Sequence, residues 1–346
     1  MIPVADPVDP AVSATDPSAT VGSAADSFGS DDLAAALQVV CDQSRVERFR
    51  PLGPLTTYRV GGPANIFIDV ASARDLRAIA TVVAHRRVPV SIVGRGSNLL
   101  VADAGHPGLV LHLGESFDTI SDLGSGLMRL GGAAALPVAA RQLTAGGLGG
   151  FEWAVGVPGS LGGAVRMNAG GHGADMAASV RRVRIVDLWR GDEYDLDAAE
   201  LAFAYRSSSI EPAQLVVSAD LVLSEGDPDR GQAMLREIVR WRRDHQPGGQ
   251  NAGSVFTNPD GDSAGRLIDA AGLKGFRIGS AEVSRKHANF IQVDAGGTAA
   301  DVVAVMRAVI RRVADTSGVT LHAETRMIGF GPVESSLMFD PQKEDR

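Results

Sequence analysis

Two glycine-rich loops constrain this chain more than any other feature: Gly94-Arg95-Gly96-Ser97-Asn98 and Pro158-Gly159-Ser160-Leu161-Gly162-Gly163. Glycine lets backbone N–H groups approach a ligand with no Cβ in the way. Serine and asparagine beside such glycines, with a nest of N–H groups, suit phosphate oxygens. Two such loops on one chain point to a long ligand with a diphosphate in its middle. Neither loop reads as the opening of a helix. Leu99 stands where a dinucleotide fingerprint needs its third glycine, and the apolar run 99–102 that follows looks like a strand. No Gly-Lys-Ser/Thr follows the first loop, so a P-loop fails as well. Either loop taken alone is equally well a tight turn or a packing device.

The chain has 346 residues, enough for two or three domains, with 45% hydrophobic and 21% charged residues and a net charge of −8. That acidity argues against a nucleic-acid partner, which usually meets a basic domain. Cys41 is the only cysteine, which excludes an intrachain disulfide and leaves no Cys-based zinc site. His172 and His287 lack the partner spacing of a metal centre, so no metal is expected. No apolar run approaches the ~18–20 residues of a membrane span. No secretory signal is visible either, and a cytoplasmic location is the simplest expectation.

Residues 1–30 are rich in Ala, Pro, Ser, Asp and Thr and read as a disordered tail. Helices are expected over 31–43, from the Ser72 cap through Leu76, Ile79, Val82 and Val83, over 136–145, from an Asp229 cap to 243, over 265–271 and over 301–313. Strands are expected over 65–70, 90–93, 109–113, 127–130, 183–188, 215–223 and 289–293. The polar stretch 225–229 marks a boundary.

Several further residues carry chemistry, each with a plainer reading. Arg206 offers a planar fork for a carboxylate or phosphate, although a lone arginine is more often a surface group. Ser254 sits in a polar turn, and Glu324 lies in a run that starts as a strand. A turn hydroxyl and a solvent-facing carboxylate would account for both.

In order along the chain, these segments resemble the UDP-N-acetylenolpyruvoylglucosamine reductase family, over about 51–331. The motifs are Leu55-Thr56-Thr57-Tyr58-Arg59-Val60-Gly61-Gly62, both glycine loops, Asn168-Ala169-Gly170-Gly171 and Tyr205-Arg206-Ser207. Ala252-Gly253-Ser254-Val255-Phe256, Ala271-Gly272-Leu273-Lys274-Gly275, Lys286-His287-Ala288-Asn289-Phe290 and Glu324-Thr325-Arg326-Met327-Ile328-Gly329 complete the set. The resemblance implies an α/β fold, with a two-lobed FAD-binding region of the vanillyl-alcohol-oxidase type and a separate C-terminal α+β substrate domain. On that basis 31–225 is the FAD-binding region, in lobes of about 31–115 and 116–225. Residues 226–330 form the substrate domain and 331–346 a C-terminal tail.

The resemblance further implies non-covalent FAD, NADPH as electron source and a UDP-sugar enolpyruvate as substrate, reduced to UDP-N-acetylmuramate for peptidoglycan. Arg206, Ser254 and Glu324 match the family's catalytic trio. Gly94, Arg95, Gly96, Ser97, Asn98, Pro158, Gly159, Ser160, Gly162, Gly163 and Arg326 match positions near the flavin. Tyr205, Asn258 and His287 fall at substrate contacts. His245 stands where the family often has a lysine at the substrate diphosphate, with Arg242 and Arg243 as neighbouring alternatives. No tyrosine lies between Arg206 and Ser254, so the chain resembles the shorter form without a tyrosine-bearing lid. The same fold would also suit a flavin oxidase or dehydrogenase acting on an alcohol, and a UDP-sugar sensor is a further alternative.

Overall fold

The computed structural model describes residues 29–338, so the expected N-terminal tail lies outside the described residues up to Phe28. Among the described residues, four hydrophobic clusters gather into three core regions, the first of them made of two clusters on opposite faces of one sheet. The first surrounds a four-stranded sheet. After helix α1 (Ser30–Val40) come β1 (Arg45–Pro51), β2 (Pro63–Val70), α2 (Ala73–Arg86), β3 (Val90–Ile92), β4 (Leu99–Val101) and β5 (His106–Leu113). The sheet order is β1-β2-β5-β3, with β1 antiparallel to β2 and the remaining pairs parallel. Parallel strands need cover on both faces. One face packs Ile66, Ile68, Leu109 and Leu111 under Leu33, Leu37, Leu76, Ile79 and Val83 of the two helices. The other buries Phe67 and Val110 with Leu52, Val93 and Val101. The Ser72 hydroxyl accepts from the Asp75 N–H at 3.1 Å and starts α2 where expected. β1 was not foreseen, because its alternating Arg, Glu and Arg side chains give it no apolar run.

The second core lies under an antiparallel sheet. Its elements are β6 (Ile120–Asp122), β7 (Leu127–Gly131), α3 (Leu136–Ala145), β8 (Leu148–Gly149), α4 (Leu161–Arg166) and the hairpin β9 (Gly170–Gly171) and β10 (Ala174–Asp175). β11 (Val180–Asp187), β12 (Asp192–Asp197), β13 (Gln214–Val222) and β14 (Ser224–Glu225) follow, and the five-stranded order is β12-β11-β13-β7-β6. Leu136, Leu143, Leu161 and Val165 pack onto Leu130, Val183, Ile185 and Leu221. The second glycine loop does open a helix, contrary to expectation. Ser160 is the N-cap of α4, whose two glycines disguise a short helix fixed by packing of Leu161 and Val165.

α5 (Pro228–His245) is capped by Asp227, not Asp229 as expected. Its carboxylate accepts from the N–H groups of Asp229 and Arg230, with Pro228 at the first helical position. Leu235 and Ile238 of α5 enter the second core. The change of core therefore falls after α5 and not at 225, because the apolar face of that helix covers α3.

The third core contains α6 (Ala264–Ala270), the small sheet β15 (Arg277–Ile278), β16 (Ala281–Val283) and β17 (Ile291–Val293), and α7 (Ala299–Ser317). Val302, Val305, Met306, Val309 and Val313 of α7 pack with Val255, Phe256, Leu267 and Ile268. Tyr58, Val60 and Leu100 from the first region join the same cluster. The chain then returns: β18 (Arg326–Ile328) runs parallel to β4, pairing Arg326 with Leu99. Residues 331–338 continue as short helical turns, and Arg307 pairs with Glu334 at 2.9 Å. No helix among the described residues is long and apolar enough to cross a membrane.

Candidate active site

The two glycine loops meet. A Cβ on Gly94 would lie 2.4 Å from Ser160 Oγ, and one on Gly159 would lie 3.3 Å from Ser97 Oγ. A side chain at Gly94 would have to displace the Ser160 hydroxyl, and one at Gly159 would press on that of Ser97. Gly96 has φ of +59°, and a Cβ there would reach 2.2 Å from the Leu55 carbonyl oxygen. The Thr57 N–H donates to Gly96 O at 3.1 Å and ties the Leu55–Gly62 motif to the first loop.

A cleft of about 710 Å³ opens between these loops and the third core. A second chamber of about 350 Å³ continues from it along β5 and β13. Gly94, Arg95, Ser160, Gly163 and Arg166 line both. Although the protein is acidic overall, Arg95, Arg166, Arg206, Arg242 and Arg326 all face the larger cleft, with Glu324 the one carboxylate lining it among the described residues. Burial and then repulsion from Arg326 lower the Arg166 guanidinium to about 10. Burial also pushes Arg242 and Arg326 down, with Glu324 opposing the shift at Arg326. Such desolvated, under-neutralised cations are receptors for phosphate and carboxylate oxygens.

The three expected catalytic residues converge on this cleft from distant segments. Arg206 Nε lies 3.1 Å from Glu324 Oε1, with both side chains largely shielded. Arg206 occupies the left-handed region at φ of 56°, and its Nη2 donates to Gly170 O at 3.0 Å. Glu324 is placed by two backbone contacts: its N–H donates to Val255 O at 2.8 Å, and its carbonyl accepts from Asn98 Nδ2 at 3.1 Å. Ser254 immediately precedes Val255. That turn is pinned by Asn289, whose side-chain oxygen accepts from the Phe256 N–H at 3.0 Å and whose Nδ2 donates to Phe256 O at 2.8 Å. Arg326 lies next to the first loop, its N–H donating to Asn98 O at 3.0 Å.

The expected substrate contacts divide. Asn258 Nδ2 donates to the Tyr205 hydroxyl at 3.3 Å, and the Arg206 guanidinium lies 5.0 Å from the Tyr205 ring centroid. These two form an exposed bridge beside Arg206 and do not line the cleft itself. His287 packs edge-on against Phe290, which does line it. His245 is not brought to the cleft. Its Nδ1–H donates to Trp241 O at 2.8 Å and its ring stacks on Trp241, on the exposed face of α5. Arg242 faces the cleft instead, its Nε donating to Gln246 Oε1 at 2.7 Å. Arg242 continues the inward face of Leu235 and Ile238, whereas the His245 ring is held against Trp241 by its bond to the Trp241 carbonyl and by stacking. Arg166 carried no expected role. Its only signal was its place between the second loop and Asn168.

Comparison with known proteins agrees with this geometry. The chain matches the model of an FAD binding domain over residues 64–197. It matches the UDP-N-acetylenolpyruvoylglucosamine reductase C-terminal domain over 245–328. UDP-N-acetylenolpyruvoylglucosamine reductase 2 of Symbiobacterium thermophilum is 41% identical over 298 residues, 85% of this chain and 96% of the relative. The reductase of Heliobacterium modesticaldum is 44% identical over 288 residues, 81% and 89% of the two chains. The crystal structure of the reductase from Thermus caldophilus aligns with a TM-score of 0.72 at 36% identity, covering 83% of this chain and all of that one. Fold and cleft together define an FAD-binding protein of mixed α and β structure. The chain belongs to the UDP-N-acetylenolpyruvoylglucosamine reductase family.

The residues present suit FAD. Backbone of both glycine loops walls the larger cleft, and Arg95 and Arg166 line both chambers as cations for a diphosphate.

Proposed function

We propose that this chain reduces the enolpyruvyl group of UDP-N-acetylglucosamine enolpyruvate to UDP-N-acetylmuramate, using NADPH and non-covalently bound FAD. The observation that carries this reading is the Arg206–Glu324 pair beside Ser254, in a cleft walled by both glycine loops. The backbone of 94–98 and 158–163 would hold the cofactor, with Arg166 and Arg326 facing its anionic and electron-rich parts. When bound, FAD supplies the hydride chemistry.

Arg206 grips the substrate carboxylate and meets negative charge as it spreads there from the carbon that becomes an anion. A preorganised donor of this kind is worth on the order of a hundredfold or more in rate. Glu324 orients that guanidinium and, holding a proton, donates a polarising hydrogen bond to the substrate carboxylate. Ser254 Oγ gives its proton to the anionic carbon. An ordinary serine is a weak acid, but a carbanion-like partner is a strong base, so positioning decides the transfer. Arg242 replaces His245 as the cation for the substrate diphosphate. Nucleotide-sugar and nicotinamide substrates fit a cytoplasmic enzyme.

An anaerobic absorbance trace of the purified holoprotein tests the reading. NADPH should bleach the bound flavin, and the UDP-enolpyruvyl sugar should restore its colour with one lactyl product per flavin. Peroxide production with a simple alcohol, and no response to the sugar, would instead favour an oxidase.

A further inference from the structure

Arg206 needs to be held in one place, yet its own backbone is in a conformation that side chains other than glycine enter at a cost. We propose that Asn168 is the positioning residue for Arg206, a latch that fixes the left-handed turn carrying the arginine against the segment 166–170. The inference rests on the role of Arg206 given above.

Asn168 is 3% exposed and itself left-handed, at φ of 38°. Its Nδ2 donates to Ala204 O at 3.0 Å and to Asp175 Oδ2 at 3.1 Å, while its Oδ1 accepts from the Ala177 N–H at 3.0 Å. Both amide hydrogens and the oxygen are therefore used. Ala204 and Ser207 close the turn around Arg206, exchanging bonds of 3.0 and 3.1 Å. Two further bonds tie the same turn to the same segment: Ser208 Oγ to Arg166 O at 2.8 Å and Arg206 Nη2 to Gly170 O at 3.0 Å. Asn168 is the buried member of this set and does not line the cleft. It touches the substrate side only through Arg206. In a low-dielectric setting a satisfied buried amide fixes geometry more firmly than a solvated one. Asparagine also tolerates the left-handed conformation that the start of the β9–β10 hairpin demands.

The test follows the two half-reactions of Asn168→Ala anaerobically, with flavin content and Tm. Flavin content and bleaching by NADPH should stay within about twofold of the parent, while colour recovery with the UDP-enolpyruvyl sugar slows about ten- to a hundredfold. Asp175→Ala removes the carboxylate that holds the amide and leaves the cleft walls intact. It should reproduce the selective slowing in weaker form, and it carries the test if Asn168→Ala does not fold. Equal slowing of both halves, no slowing of the second, or loss of fold in both variants would overturn the latch in favour of a purely structural asparagine. Arg206→Ala is run in parallel. If it also spares colour recovery, the role of Arg206 itself falls; if it stalls recovery while the Asn168 and Asp175 variants do not, only the latch falls.

Discussion

Arg206 Nε and Glu324 Oε1 stand 3.1 Å apart, although one side chain arises from a turn packed on the second core and the other from the segment entering β18. The pair spans the cleft wall where Ser254 also lies. A shielded pair of this kind holds both side chains aligned more firmly than a surface bridge that solvent screens.

Ser254 acts late in the proposed reaction. Ser254→Ala should still allow NADPH to bleach the flavin at the parental rate, while lactyl product formation falls by about a hundredfold or more. Stopped-flow absorbance at the flavin band separates the two phases. Equal slowing of both would remove Ser254 from its role.

The contact between the glycine loops predicts a rescue. Gly94→Ala places a methyl carbon 2.4 Å from Ser160 Oγ, so the hydroxyl or the loop must shift and flavin retention should drop. Ser160→Ala removes that oxygen and leaves Cβ at 3.6 Å, an ordinary contact. The double variant should therefore hold flavin better than Gly94→Ala alone. Fluorescence titration of the deflavinated proteins with FAD measures the coupling.

Arg166 should act mainly in binding. Arg166→Met removes a cation common to both chambers, so FAD affinity should fall roughly tenfold, as expected for loss of one charge-assisted contact. The loss should shrink in high salt, where the parental attraction is screened. Equilibrium dialysis at two ionic strengths reads both effects.

Asp75 predicts an acid limb of stability. Burial raises its carboxyl, but the Ser44 hydroxyl and the N–H groups of Gln43, Ser44 and Asp42 outweigh that and hold it at about 2, below its ordinary 3.8. A carboxyl depressed in the folded state stabilises fully above its unfolded pKa and loses that contribution as pH falls through the folded value. Tm should therefore drop between about pH 4 and pH 2. Asp75→Asn should be destabilised by about 2 kcal/mol at neutral pH and show a flatter acid limb. Thermal melts across that range decide it.

What was legible in the sequence was local. Helix α3 begins and ends at Leu136 and Ala145 as its proline and glycines indicate. The apolar stripe of α7 faces the third core along its length. The glycine loops announced a backbone cradle, and the ordered motifs led to the family. Rotation and distance were not legible. The sequence around His245 and Arg242 says that a cation is near, but only the packing of Leu235 and Ile238 turns Arg242 inward. α4 was hidden because its glycines oppose a helix that Leu161 and Val165 stabilise from outside the segment.

By itself, then, the order of residues determined which groups this protein owns: glycines where backbone must approach backbone, arginines for anions, one serine and one glutamate. The tertiary structure alone decided that Glu324 faces Arg206, that Ser160 abuts Gly94 and that Asn168 reaches Ala204. The reason is physical. Those contacts join segments far apart in the chain, and their distances are set by tertiary packing within and between the cores, a quantity that no local pattern of side chains encodes.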